Sequence, residues 1–265
     1  MRGSLGEKIG EGASAEVHAW APGQVVKLFR SGASRRLHWH EAQMTHAVFA
    51  AGAPAPEVLG GRFGIVMSRF DGPTLLQLTR TGAVTRGQAG AILAALCRAV
   101  HKTPPPPGVL ALRGWMDAWL RSAGGTLPAP IAPGILALIE RLQPADELCH
   151  GDLHPGNVIM TAEGPRLVDW SGTVRAPAAY DLGISHILLT ELAPEVADDP
   201  ERPRAVNAAA QSEYARLAGM PPAALTAAIG PYLPIVCVLV LLGEAMPALR
   251  ERLIQRVEAT LRPED

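Results

Sequence analysis

Residues 1–72 carry strand-like and helix-like patterns in turn. In residues 5–30, LGEKIGEGASAEVHAWAPGQVVKLFR, apolar and polar positions alternate, and turn signals stand at Gly10, Gly12 and Pro22-Gly23. Alternation bounded by glycine and proline is typical of antiparallel strands. The pattern therefore predicts two or three antiparallel strands at the start of the chain.

A helix and further strands are predicted to complete this N-terminal region. Between Ser34 and Ala51 there is no proline or glycine, and apolar residues recur at helical spacing, so the pattern predicts a helix that ends before Gly52. Residues 57–72, EVLGGRFGIVMSRFDG, return to strand character around a glycine-rich turn. Strands, one helix and more strands form a small lobe, whose boundary we place at residue 72.

The rest of the chain is predicted to be mainly helical. Residues 88–102 and 132–143 are rich in alanine, leucine and isoleucine, and proline-rich connectors separate such stretches. Residues 150–170 interrupt the helices with a short hairpin: NVIM, a turn at TAEG, and PRLVDW. The predicted fold class is therefore α+β, with a small antiparallel-sheet lobe over 1–72 and a larger helical lobe over 73–265.

Composition and charge narrow the class of partner. The 265 residues are 48% hydrophobic and 18% charged, which is typical of a globular protein and not of a disordered one. The formal net charge of −1 supplies no long-range field that would collect nucleic acid or an anionic membrane. We expect neither as a partner, and the oligomeric state stays open between a monomer and a homodimer.

The cysteines and the longest apolar run bear on the compartment. Cys97, Cys149 and Cys237 are widely separated, form no C-x-x-C pair, and follow no recognisable secretory leader, so a reduced, cytoplasmic environment is expected. The run IVCVLVLLG from Ile235 is too short to span a bilayer. We interpret it as a buried helix.

The stretch HGDLHPGN, residues 150–157, is the strongest chemical signal. Asp152 and Asn157 lie five residues apart in a loop that contains proline and glycine, and Asp169 follows at the end of the predicted hairpin. Phosphoryl transfer needs a carboxylate that orients the attacking hydroxyl, together with oxygen ligands for magnesium. Taken alone, an aspartate in such a loop is more often a turn former.

Upstream residues strengthen the case for a nucleotide site. Gly10 and Gly12 lie between strand-like runs, where backbone N–H groups can approach phosphates closely. Lys27 lies mid-strand among apolar neighbours, where an ammonium group is costly unless it meets an anion. Glu41, in the following helix, is the natural partner to orient Lys27.

These motifs together resemble the aminoglycoside phosphotransferase and choline kinase-like group, within the protein kinase-like fold. The most specific part of the resemblance is HGDLHPGN, then LVDW, then YDLG at residues 180–183. The resemblance implies ATP or GTP, Mg²⁺, and transfer of the γ-phosphate to a hydroxyl. It makes Asp152 the catalytic base and assigns the metal to Asn157 and Asp169.

The same resemblance implies a nucleotide-binding set in the N-terminal lobe. Lys27 would contact the phosphates with Glu41 as its ion-pair partner, and the glycine-rich turn would cover the phosphates. Ala15 stands near the position of that turn's third glycine, and Ser14 is expected to cover the phosphates instead, with its backbone N–H or its hydroxyl. The segment IVMSRFDG resembles the hinge, so backbone groups near Ser68, Arg69 and Phe70 would bind the purine.

Two details separate the chain from protein kinases of the eukaryotic type. Gly151 stands where those enzymes carry an arginine before the catalytic aspartate. Only eleven residues separate Asp169 from Asp181, which leaves little room for a peptide-binding activation segment. Small-molecule acceptors are therefore favoured. Asp181 is expected to hold residues 150–157, the catalytic loop, by hydrogen bonds. His150 and His154 are expected to support that loop rather than to transfer protons.

The acceptor site is the least defined part of the prediction. A cationic acceptor would need converging carboxylates, and the candidates are Glu191, Glu195, Asp198, Asp199, Glu201 and Glu244. The alternative, which we favour, is that ELAPEVADDPERP is an exposed, proline-punctuated loop. Choline would also need an aromatic cage, for which the candidates are Trp115, Trp119, Trp170, Tyr180, Tyr214 and Tyr232. Trp115 and Trp119, at i and i+4, are more typical of a core stripe.

Three functions follow, in order of preference. The first is a nucleotide- and Mg²⁺-dependent O-phosphotransferase whose acceptor is an aminoglycoside or other antibiotic, an amino alcohol or a sugar. The second is a kinase that acts on protein, which the short segment between Asp169 and Asp181 disfavours. The third is a nucleotide-binding regulatory module without turnover. The intact catalytic set disfavours it: Lys27, Asp152, Asn157 and Asp169.

Overall fold

The N-terminal region is a five-stranded antiparallel sheet with one helix. A computed structural model describes residues 5–12, 15–30, 35–61, 64–122, 126–243 and 247–262. The strands are β1 (Lys8–Glu11), β2 (Ala15–Ala21), β3 (Gln24–Phe29), β4 (Val58–Gly60) and β5 (Ile65–Ser68), in the order β1-β2-β3-β5-β4, and the helix is α1 (Arg35–Ala50). The three early strands, the helix and the two later strands are those that the sequence predicts.

The sheet places Lys27 in its central strand. Strand β3 pairs with β2 on one side and with β5 on the other, and its Val25 packs with Ile65 and Met67 of β5. Lys27 lies two positions after Val25 and is also buried. A buried ammonium requires a charged partner, which α1 supplies.

The remainder of the described chain is mainly helical. Its helices are α2 (Leu75–Thr81), α3 (Arg86–Lys102), α4 (Leu112–Ser122), α5 (Ile131–Arg141), α6 (Ala178–Ile187), α7 (Glu201–Ala218), α8 (Pro222–Ile229), α9 (Leu233–Leu242) and α10 (Pro247–Leu261). Thr74 and Thr85 begin α2 and α3 with capping boxes, in which each threonine exchanges hydrogen bonds with a glutamine three residues later.

Four short strands lie between α5 and α6 and shape the catalytic loop. They are β6 (Glu147–Cys149), β7 (Val158–Thr161), β8 (Gly164–Leu167) and β9 (Val174–Ala176), paired as β6-β9 and β7-β8. The β7-β8 pair is the predicted hairpin. Residues 150–157 connect β6 to β7, and their last three, Pro155–Asn157, form a 3₁₀ turn.

The predicted core helix near the C-terminus is confirmed as buried. In α9, Ile235, Val236 and Cys237 have almost no exposed surface. Together with α8 and the turn between them, α9 forms a stretch, Pro222–Leu242, that is long and apolar enough to cross a membrane by length and composition. Half of that stretch is buried within the molecule, and the core helix of a soluble protein meets the same criterion.

Two expectations about the C-terminal region have different outcomes. Trp115 is 5% exposed and packs with Trp119 at a ring-centroid distance of 5.6 Å, so the pair belongs to the core as expected. The prediction that ELAPEVADDPERP is a loop is right only for residues 196–200 and wrong at both ends, since its last three residues begin α7. A π-helix, Leu188–Leu192, and a 3₁₀ turn, Ala193–Glu195, continue from α6, because the buried Leu189 and Pro194 tie this segment to the core.

Candidate active site

Asp152 and Asn157 face each other across the catalytic loop. The amide nitrogen Nδ2 of Asn157 donates to the Asp152 carboxylate at 2.8 Å and to the Asp152 backbone carbonyl at 2.9 Å. These bonds orient the side-chain oxygen Oδ1 of Asn157 away from Asp152. The Asp152 side chain is 37% exposed, so a reactant can reach its carboxylate.

The loop is held from below by Asp181 at the start of α6. The two carboxylate oxygens of Asp181 accept hydrogen bonds from the backbone N–H groups of His150 and Gly151, at 3.0 and 2.9 Å. Burial opposes ionisation of Asp181, but the hydrogen bond from His101 and the nearby histidines outweigh it and lower the pKa. Asp181 is fully buried, so it supports the loop and is not accessible to a reactant.

His150 contacts the backbone at Asp152 and at the residue before Asp169. Its Nδ1 accepts a hydrogen bond from the Asp152 backbone N–H at 3.2 Å, and its Nε2 lies 3.1 Å from the Val168 carbonyl. Both contacts are satisfied by one neutral tautomer, with the proton on Nε2. Burial lowers the pKa of His150 and favours that neutral form. His150 thereby joins the catalytic loop to the residue before Asp169.

Asp169 lies opposite Lys27 and adopts an unusual backbone conformation. Among the described residues, it is the only non-glycine residue with positive φ, at 64°. Its Oδ2 lies 3.2 Å from the Lys27 Nζ, and its Oδ1 accepts a hydrogen bond from the Ser171 hydroxyl at 2.8 Å. A left-handed aspartate costs conformational free energy, and such strain is concentrated at functional sites.

Lys27, Glu41 and Asp169 form one buried charge cluster. Lys27 Nζ donates to Glu41 Oε1 at 2.6 Å. Burial disfavours the Lys27 ammonium, but the carboxylates of Asp169 and Glu41 outweigh burial and raise the pKa of Lys27. Burial opposes ionisation of Asp169, and Lys27 more than offsets it, so the pKa of Asp169 is lowered.

The cluster carries more carboxylate than ammonium. Burial and the neighbouring Asp169 raise the pKa of Glu41 to about 7, although Lys27 acts in the opposite direction. An added cation beside Asp169 would balance this excess. Asp169 and the Oδ1 of Asn157 are hard oxygen ligands of the kind that Mg²⁺ prefers, so the residues present fit that ion.

The glycine-rich turn is only partly described. Gly10 lies within β1, opposite Val17, and not in the turn itself, where the alternation had suggested it. Gly12 lies in the turn, and its backbone N–H donates to the Ala15 carbonyl at 2.9 Å. The predicted phosphate contact Ser14 lies outside the described residues.

The predicted hinge follows strand β5. The backbone N–H of Ser68 donates to the Glu57 carbonyl, and that of Arg69 donates to the Gly23 carbonyl, both at 2.9 Å. Those two N–H groups therefore already have acceptors within the protein, which leaves them unavailable to a purine. Among the described residues, the backbone groups of Phe70 have no hydrogen-bond partner.

Sequence reasoning missed the residues beneath Asp181. His101 Nε2 lies 3.2 Å from Asp181 Oδ2, and His101 Nδ1 lies 2.8 Å from the Tyr214 hydroxyl. Cys97, His101 and Asp181 bring three metal-ligand atoms within 4.8 Å of one another. However, hydrogen bonds already use both Asp181 oxygens. The available signal was Cys97 and His101 at i and i+4 on the apolar face of α3, which does not identify the distant partners.

Comparisons with known proteins agree with this architecture. A thermostable mutant of the aminoglycoside phosphotransferase APH(4)-Ia, in complex with AMP-PNP and hygromycin B, superposes with a TM-score of 0.62 at 16% identity, over 98% of this chain and 94% of that one. A choline/ethanolamine kinase family protein from Mesorhizobium loti gives 0.55 at 18% identity, over 98% and 89%. A choline kinase from Cryptosporidium parvum gives 0.59 at 14% identity, over 97% and 88%.

These likenesses establish the class of fold and, with the family profile, the class of enzyme. The chain has the protein kinase-like fold, as predicted, with an N-terminal antiparallel sheet and a mostly helical remainder. Residues 6–220 match the profile of the phosphotransferase enzyme family, and the chain belongs to that family. The family is one of phosphotransferase enzymes. No curated protein sequence shows significant similarity to it.

Proposed function

We propose that the protein transfers the γ-phosphate of ATP or GTP to a hydroxyl of a small molecule, with Mg²⁺ as the cofactor. The observation that carries the proposal is the adjacency of two pairs. Asn157 donates to Asp152, Asp169 pairs with Lys27, and the N–H of Val168, next to Asp169, donates to the Asn157 carbonyl at 3.0 Å. Related folds in complex with AMP-PNP or ADP support a nucleotide as the donor. Asn157 and Asp169 would hold Mg²⁺, which would neutralise charge on the phosphates.

Each residue has a separate task in the proposed reaction. Asp152 orients the acceptor hydroxyl and accepts its proton as the new bond forms between the acceptor oxygen and the γ-phosphorus. The bond from the γ-phosphorus to the bridging oxygen breaks, and the nucleoside diphosphate leaves. Lys27, held by Glu41, contacts the phosphates of the donor. The backbone of Phe70 would bind the purine at the hinge.

The test is nucleotide turnover by the purified protein with Mg²⁺. ATP and GTP are offered with a panel of hydroxyl acceptors, and the Asp152→Asn variant serves as the control because it keeps the shape of the side chain. We expect acceptor-dependent turnover that falls by roughly 10²–10⁴-fold in the variant. Tight nucleotide binding with equal turnover in both proteins would contradict the proposal.

A further inference from the structure

A cavity of about 440 Å³ opens beside the catalytic loop. It lies between α2, the 3₁₀ turn Pro155–Asn157, the π-helix Leu188–Leu192 and the start of α7. Its volume is in the range of pockets that hold small molecules. The His154 ring forms part of its wall, and His154 Nε2 lies 3.7 Å from the Asp152 carboxylate. A ligand in the cavity is therefore one side chain away from the proposed base.

The wall of this cavity is mainly aliphatic. Six large aliphatic side chains contribute to it: Leu76, Leu188, Leu189, Leu192, Val196 and Val206. They come from four segments: α2, the π-helix Leu188–Leu192, the turn at Val196 and α7. Binding against such a wall is favourable because the apolar part of the ligand is removed from water.

The charged groups at the rim do not suit a cation. Arg80 and Arg202 line the cavity, and the carboxylate that accompanies them there is Asp198. Arg80 lies 3.3 Å from Asp198, and Arg202 lies 3.8 Å from Asp199. Asp199 also pairs with Arg86 at 2.7 Å. At the rim, a positively charged ligand would meet two arginines and one carboxylate, Asp198, which Arg80 already pairs.

The other acidic residues considered for a cationic acceptor are also paired. Glu191 bonds Arg256 at 3.2 Å, and Glu195 bonds Arg252 at 2.9 Å, both across to α10. Glu201 bonds Arg204 within α7 at 2.6 Å. Glu244, the sixth candidate, lies outside the described residues. Every described candidate carboxylate is thus already neutralised by an arginine.

We propose that the acceptor is a hydroxyl compound with an apolar body and no positive charge, bound in this cavity with its hydroxyl at Asp152. This inference rests on the proposed phosphotransfer and specifies the class of its acceptor. The aliphatic wall would take the body of the acceptor, and the rim arginines would exclude polycations such as aminoglycosides. The inference separates this chain from the relative that was solved with hygromycin B.

Matched series of alcohols test the proposal. With Mg²⁺ and ATP, kcat/KM is measured for 1-butanol through 1-octanol and for the ω-amino-1-alkanols of the same lengths, together with choline and kanamycin. Burial of each added methylene is expected to raise kcat/KM by roughly fourfold in the neutral series. Each amino alcohol is expected to fall at least tenfold below its neutral counterpart.

A pair of variants locates the effect in the cavity. Leu76 lines the cavity and is 43% exposed, while Leu217, on α7 and outside the cavity wall, is 39% exposed. Leu76→Asp should lower kcat/KM for 1-octanol about tenfold and raise it for 8-amino-1-octanol. Leu217→Asp adds the same charge at similar exposure and should change neither value. Leu76→Met should retain the preference for 1-octanol.

The outcomes separate the two proposals. Phosphorylation of the cationic compounds in preference to the neutral alcohols overturns the inference and leaves the phosphotransferase function standing. Equal effects of Leu76→Asp and Leu217→Asp also overturn it. If Mg²⁺ and ATP bind but no member of either series, nor choline or kanamycin, is phosphorylated, the proposed function fails and the inference fails with it.

Discussion

At the scale of single residues, Asp152 and Asp169 differ in what surrounds their carboxylates. Asp152 accepts a hydrogen bond from the Asn157 amide, whereas Asp169 lies next to the Lys27 ammonium. An ammonium partner keeps Asp169 ionised, as a cation ligand must be. In Asp152, the Asn157 amide and the His154 ring, at 2.8 and 3.7 Å, both face Oδ2, which leaves Oδ1 open to the acceptor hydroxyl. The surroundings therefore support the separate roles proposed for the two residues.

His150 gives a pH-dependent prediction. Its folded-state pKa is lowered from the ordinary value of 6.5 by burial. The unfolded chain therefore binds a proton at this residue below about pH 6.5 and the folded chain does not. The contribution of His150 to the free energy of unfolding is therefore present at higher pH and is lost as the pH falls below that value. Replacement by asparagine removes this share of the pH dependence.

The measurement is the free energy of unfolding by urea from pH 8 to pH 5, for the parent and for His150→Asn. We expect the parent to lose stability below about pH 6.5 more steeply than the variant. Other buried histidines contribute to both curves, so the difference between the two slopes is the relevant quantity. Parallel curves would show that His150 is not buried in its neutral form.

At the scale of elements, the catalytic loop lies very close to the turn that follows Asp169. Gly151 has φ of 80°, and a Cβ atom there would overlap the carbonyl oxygen of Gly172. The 3₁₀ turn Trp170–Gly172 thus limits residue 151 to glycine on two grounds, conformation and space. This contact fixes the separation between the Asp152 loop and Asp169.

Gly151→Ala is expected to be much more damaging than Gly82→Ala. Gly82 has nearly the same φ, 78°, but nothing lies within 4 Å of the position that a Cβ atom would take there. Gly82→Ala should cost about 1–2 kcal/mol of unfolding free energy from the conformation alone. Gly151→Ala should cost more and should also lower kcat, because the loop must move away from Gly172. Unfolding curves and turnover measure both effects, and equal costs would contradict the account.

Most of the helices and strands could be predicted from the sequence, because the patterns that define them lie within short stretches of the chain. Alternation in residues 5–30 and helical spacing in α1 reflect burial of one face, which a short window of sequence records. The segment after α6 was not predictable in this way. Its helical continuation depends on packing of Leu189 and Pro194 against distant core residues, while its local composition, rich in proline and acid, favours a loop.

At the scale of the whole molecule, α3 and α7 support the catalytic loop from a distance along the chain. His101 of α3 bonds Asp181, and Tyr214 of α7 bonds His101, across separations of 80 and 113 residues. The sequence showed Lys27, Asp152 and Asp169 because each belongs to a recognisable local motif. It could not show Tyr214 or the arginine partners of the acidic residues, because those contacts exist only after the helices pack.

Two tyrosine substitutions test this long-range support. Tyr214→Phe removes the 2.8 Å hydroxyl contact of His101 Nδ1, leaves only the Cys97 thiol at 3.9 Å, and should destabilise the protein by about 1–3 kcal/mol. Tyr180→Phe removes a buried hydroxyl that has no hydrogen-bond partner among the described residues, so it should be neutral or stabilising. Urea unfolding of both variants provides the comparison. A larger loss for Tyr180→Phe would contradict the network described here.

The division of roles between Asp152 and Asp169 is the central claim, and one paired measurement tests it most directly. Mg²⁺-dependent ATP affinity and kcat are determined for Asp152→Asn and Asp169→Asn beside the parent. We predict that Asp152→Asn keeps the parent's affinity and loses roughly 10²–10⁴-fold in kcat, whereas Asp169→Asn loses Mg²⁺-dependent affinity as well. Parent-level kcat in Asp152→Asn, or unchanged Mg²⁺-dependent affinity in Asp169→Asn, would contradict the account.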